Sequence, residues 1–167
     1  PQATPMIIGL DVTGSMGDIA IELLRNGVGR TVEGILANES ISDPQILFAA
    51  VGDSKCDQTP LQVTQFEADN RMVDQLQLIW KEGGGGANGG ESYHLPWIFA
   101  SRMVSADAHR EGRKGYIITV GDEPVHHYTS DEEIRRTFGR SFYEGTVKTP
   151  DVYAEVCKNW YVFHISL

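Results

Sequence analysis

The chain has 167 residues, 41% hydrophobic and 22% charged, with a formal net charge of −9. That composition suits one soluble-type globular domain with a sizeable core. It excludes a basic stripe for nucleic acid, and no apolar run reaches the roughly 20 residues of a membrane-spanning helix.

In chain order, Met6-Ile7-Ile8-Gly9-Leu10 is a short, continuously apolar run that predicts a central buried strand, and it stops abruptly at Asp11. Over residues 16–37, Ile21, Leu24, Val28, Val32 and Ile35 recur every three or four positions. This predicts a helix with one face on the sheet, weakened by Gly27, Gly29 and Gly34. Residues 46–51 read as a second strand, and 61–66 alternate as an antiparallel edge strand would. Short helices are expected over 70–80 and 96–107, with Trp97, Ala100 and Val104 on the core-facing stripe. Tyr116-Ile117-Ile118-Thr119-Val120 is the sharpest later strand and closes on Gly121-Asp122. Ser130-Asp131-Glu132-Glu133 has the form of a capping box, and Thr149-Pro150 pairs a capping hydroxyl with proline at the first helical position. Residues 160–165 make the last strand. Strands alternating with helices predict an α/β fold with a mostly parallel sheet.

Cys56 and Cys157 stand far apart and outside any paired metal-ligand spacing. Isolated thiols in a reducing, cytoplasmic setting are expected, with a single disulfide as the alternative. Residues 83–90 contain six glycines. A loop that needs unusual backbone angles near a ligand explains them better than a linker does.

The candidate chemistry lies on Asp11-Val12-Thr13-Gly14-Ser15, between a buried strand and a helix. In open parallel sheets, ligands bind beyond the carboxyl ends of strands. Asp11, Thr13 and Ser15 are short oxygen-bearing side chains at alternate positions and can turn to one point. Carboxylate and hydroxyl oxygens suit a hard cation such as magnesium. Asp122 ends the other strongly apolar strand and supplies a second carboxylate at the same edge. A helix-capping cluster without metal is the plainer alternative. Zinc is not expected, because no thiol or second imidazole stands at ligand spacing to His126 and His127.

Asp-Val-Thr-Gly-Ser-Met at 11–16 resembles the metal-ion-dependent adhesion site of von Willebrand factor A domains, which reads Asp-x-Ser/Thr-x-Ser. Val120-Gly121-Asp122 resembles that site's strand-terminal aspartate. The resemblance covers most of the chain. It implies a single domain over 1–167 with a doubly wound sheet of order 3-2-1-4-5, the third strand antiparallel, and helices on both faces. It further implies that Thr13 and Ser15 bind Mg2+, or Mn2+ or Ca2+, directly, with Asp11 and Asp122 holding it partly through water. Such domains normally add a sixth strand and a final helix, which this sequence, ending at Leu167, is expected to lack.

One ligand departs from the pattern. The family's threonine is missing from the glycine loop, where Asn88, Glu91 and Ser92 stand instead. Residues 84–91 resemble an intracellular-type variant in which glycines precede Asp-x-Pro-Glu, and Asn88 would occupy the aspartate's place. Residues 122–127 resemble an Asp-x-Pro-Pro-His stretch of the same group, so His126 is expected to orient the site or meet a partner. Glu91 and Tyr93 are expected to border it and, with His126, to meet the partner.

The leading expectation is a non-enzymatic binding module, whose cation accepts an Asp or Glu carboxylate from a partner protein. By the resemblance, such domains work within larger assemblies or alongside ATPases. The alternative is a metal-dependent hydrolase or phosphoryl-transfer enzyme using Asp11. Against it, Thr13 stands where a second acid would be, and no phosphate loop ends in Lys-Ser/Thr. A dinucleotide site is set aside, because the glycines follow a helix and not a strand.

Overall fold

A strand buried along almost its whole length, β1 (Thr4–Asp11), forms the middle of the sheet. The structure is a computed structural model describing residues 2–16, 22, 26–69, 71, 75, 78–79 and 89–167, the side chains of Ser15 and Val28 apart. β1 pairs in parallel with β2 (Pro44–Val51) on one side and β4 (Gly115–Gly121) on the other. β3 (Leu61–Val63) runs antiparallel on the outside of β2, and β7 (Trp160–Ser166) lies parallel outside β4. The order is β3-β2-β1-β4-β7, a mixed five-stranded sheet. Between β4 and β7 a separate antiparallel ribbon pairs β5 (Tyr128–Thr129) with β6 (Val147–Lys148).

The twofold alternation of a strand divides the core. Ile7, Leu47 and Ile117 meet Leu95 and Ile98 of α2 (His94–Arg102), Ile134 of α4 (Asp131–Phe138), and Val152 and Val156 of α5 (Thr149–Val156). Met6, Ile8, Leu10, Ile46 and Phe48 gather with Val32 of α1 (Val28–Leu36) in a second cluster. Burying each such side chain stabilises the fold by about 1.5–3 kcal/mol.

Several boundaries differ from the sequence expectation. The strand expected over 61–66 ends at Val63. The helix expected over 96–107 begins earlier, at His94, and stops at Arg102; Asp107–Arg110 forms a separate turn, α3. Pro96 falls in the first turn of α2, where a missing N–H leaves no intrahelical bond unmade. Of the helix expected over 16–37, a 3-10 turn at Gly14–Met16 and α1 are described, and residues 17–21 and 23–25 lie outside the described residues. Most of the helix expected over 70–80 lies outside them too.

The capping box forms as expected: Ser130 Oγ accepts from Glu133 N while the Glu133 carboxylate accepts from Ser130 N. Thr149 does not cap. Its hydroxyl donates to the His126 carbonyl and its N–H to that of His127, tying α5 to the loop after β4. Cys56 and Cys157 form no disulfide with each other.

Candidate functional site

Three loops leave the carboxyl ends of neighbouring parallel strands, and the segment entering α2 completes the site. β1 ends in Asp11 and leads to Thr13; β2 ends in Val51-Gly52-Asp53; β4 ends in Val120-Gly121-Asp122. The β1–β4 register opposes Leu10 to Val120, which carries the chain ends out side by side. Glu91 N–H donates to the Pro124 carbonyl at 2.8 Å and His126 N–H to the Glu91 carbonyl at 3.0 Å. The end of the glycine-rich stretch is thereby stitched to the loop after β4. Gly90 permits this seam, since a Cβ there would stand 2.8 Å from His126 Nδ1.

Asp11 is buried and both of its carboxylate oxygens accept hydrogen bonds. Oδ1 takes the Thr13 N–H at 2.9 Å and the Thr13 hydroxyl at 2.6 Å; Oδ2 takes the Tyr93 hydroxyl at 2.6 Å. Tyr93 arrives from the start of α2 across the backbone of β4. A side chain at position 121 would collide with it, because a Cβ there would stand 1.9 Å from the phenol oxygen. Burial, then the Asp11 carboxylate, pushes the Tyr93 phenol well above its ordinary range, so it remains a donor.

Glu91 is buried beside this pair, and its Oε2 has no hydrogen-bond partner among the described residues. Burial pushes its carboxyl up to about 8, helped by the charges of Asp11, Asp53 and Asp57 and opposed by a hydrogen bond with Thr13. Four acids from three segments therefore feel one another in a poorly solvated space.

A second polar layer lies behind them. Asp53 is buried and its Oδ1 meets His126 Nε2 at 2.8 Å, while its N–H donates to Asp57 Oδ2 at 2.7 Å. Ser92 Oγ accepts the Ser54 N–H at 2.8 Å and lies 3.0 Å from Ser54 Oγ. Ser54 Oγ in turn donates to Glu133 Oε1 at 3.1 Å, and Lys55 Nζ reaches the same oxygen at 3.2 Å. Glu133 is pushed up by burial but pulled further down by the bonds from Ser130 and by Lys55, to about 2.

The residues expected from sequence therefore fall into distinct places. Asp11, Thr13, Glu91, Tyr93 and His126 come together in the buried interior of one sheet edge. Asp122 is exposed at the same edge and lines a cavity of about 430 Å³ with Tyr93, Trp97 and Glu123. Ser15 lies in the 3-10 turn that follows Thr13, and Asn88 lies outside the described residues. Ser92 is fully buried and bonds to Ser54. Among the described residues no three His, Cys, Asp or Glu side chains form a group that could hold a metal ion. No described helix is long and apolar enough to cross a membrane.

No family model matches this sequence, and no curated protein does. Similar solved structures include the pilus adhesin SpaC from Lactobacillus rhamnosus GG in its open conformation, with a TM-score of 0.55 at 14% identity over 78% of this chain. A second structure of that adhesin gives 0.53 at 15% identity. The likeness is one of fold. This chain spans 16% of the adhesin's length.

Sequence reasoning missed Asp53, Ser54, Asp57 and Glu133. The signal for Asp53 was present: Val51-Gly52-Asp53 repeats the form of Val120-Gly121-Asp122 at the end of another apolar strand. Asp57 carried no such mark and Glu133 was marked only as a helix cap, because a turn and a long-range contact bring them in.

Proposed function

We propose that this chain is a von Willebrand factor A-type domain, doubly wound with order 3-2-1-4-5 once β5 and β6 are counted as an inserted ribbon. It acts as a divalent-metal-dependent protein-binding module and not as an enzyme. Mg2+, or Mn2+ or Ca2+, would be held by Thr13 and Ser15 with Asp11 and Asp122, and Asn88 is the candidate from the glycine loop. The bound cation would supply a Lewis-acidic position for an Asp or Glu carboxylate of a partner.

The observation that carries this reading is the Glu91 carboxyl, buried beside Asp11 and Thr13 with one oxygen unpartnered among the described residues. Buried carboxylates at close range repel, and a proton or a cation relieves them. The donors are carboxylate and hydroxyl oxygens, which fit a hard divalent ion and not zinc. The fold likeness to a pilus adhesin is compatible with a binding role and carries no further weight. An assembly or ATPase partner stays a proposal of the sequence resemblance.

The hydrolase reading has less support. Asp11 has both oxygens engaged and no exposed surface, a poor setting for a nucleophile. Manganese as a probe separates the two. Mn2+ bound with an open position should enhance water-proton relaxation, and N-acetyl-aspartate amide should reduce that enhancement saturably. Absence of Mn2+ binding contradicts the reading. Turnover of a generic phosphoester that disappears with Asp11→Asn replaces it by the enzymatic one.

A further inference from the structure

Beside the carboxyl edge of β4 lies a cavity of about 430 Å³ that no step above uses. Tyr93 and Trp97 supply aromatic wall, and His164, Asp122 and Glu123 are among the other described residues that line it. Among the described residues no lysine or arginine lines it. Its volume lies within the roughly 300–1,000 Å³ of small-ligand pockets, enough for one long side chain and the backbone that carries it. Trp97 is 7% exposed, yet its indole N–H has no acceptor among the described residues.

We propose that this cavity takes an arginine side chain of a partner protein, with the guanidinium against the aromatic wall and paired with Glu123. Aromatic faces and carboxylates are the two surfaces a planar guanidinium recognises together. The chain's net charge of −9 adds a long-range attraction for a basic segment. The one imidazole in the lining does not oppose it. His164 touches Thr119 Oγ1 at 2.9 Å and packs against Tyr93 with ring centroids 4.7 Å apart, and burial holds its pKa below the ordinary value. The inference stands on the cavity and not on a bound cation, so it is tested with the cation removed.

The experiment is an NMR titration of the whole chain in EDTA with Nα-acetyl-arginine amide, and with Nα-acetyl-norleucine amide as the uncharged control. Three tryptophans give three indole signals, and that of Trp97 is assigned by its loss in Trp97→Phe. Saturable movement of this signal with the arginine probe and not the norleucine one is expected. Glu123→Gln, at a partly exposed rim position, should weaken binding about two- to fivefold, the size of one exposed charge pair. Equal response to both probes, no saturable movement at Trp97, or an unchanged affinity in Glu123→Gln would overturn the proposal. Asp122 is left intact because it belongs to the proposed cation site, and failure here leaves metal binding untouched.

Discussion

At the scale of single residues, the pivot is the Tyr93–Asp11 hydrogen bond. A neutral donor on a buried carboxylate contributes about 1.5–3 kcal/mol, and the carboxylate keeps the full cost of burial when the donor is removed. Tyr93→Phe should therefore lower unfolding stability by that amount in urea denaturation, and a loss under about 0.5 kcal/mol would contradict the bond's role. Asp11 is wholly buried, with Tyr93 bonded to its carboxylate. Its burial sets the choice of variant: Asp11→Asn keeps the shape and one acceptor for Tyr93, and Asp11→Ala does not. Asp11 and Thr13 were legible because both sit next to a strand end in one short motif. Tyr93's hydroxyl was not, because helical spacing says which face is buried and nothing of what a ring tip reaches across a neighbouring strand. Gly121 is the sequence trace of that reach, and only the packed structure explains it.

At the scale of elements, local chemistry was readable where it is satisfied locally. Ser130 with Glu133 closes its own capping box, so four consecutive residues were enough to place α4. Ser130→Ala should cost about 1 kcal/mol in thermal or urea unfolding. Thr149 misled for the opposite reason: its hydroxyl bonds a carbonyl 23 residues away, a contact no local pattern contains. The strands carry a similar contrast. Ile117 on β4 is wholly buried, whereas Phe163 on β7 is 52% exposed. Ile117→Ala should cost about 2–5 kcal/mol, and Phe163→Thr less than about 1 kcal/mol. Comparable losses at the two positions would mean that the outer face of β7 is covered.

At the scale of the whole molecule, buried ionisable groups set the response to pH. Burial, reinforced by the nearby His126, lowers His94 to about 3, and neither ring nitrogen has a partner among the described residues. The unfolded chain then takes up this proton first, so its contribution to stability is full above 6.5 and lost as pH falls from there through about 3. Glu133 has the usual carboxylate sign: its contribution is full above 4.5 and lost as pH falls through about 2. His94→Leu should flatten stability against pH in the first window and Glu133→Gln in the second, as read by urea midpoints at each pH. Unchanged slopes would mean that other groups govern acid unfolding.

The α/β class was legible from alternation alone, and the mixed sheet follows it; the buried acids were only partly so, since Asp57 and Glu91 converge through turns and loop-to-loop bonds. The central claim is the proposal that Asp11, with Thr13, Ser15 and Asp122, holds a divalent cation. Calorimetric titration of Mg2+ into the wild type and into Asp11→Asn tests it most directly. One saturable site is expected in the wild type, weakened roughly 10- to 100-fold in Asp11→Asn. No binding in the wild type, or equal affinity in the two proteins, would contradict it.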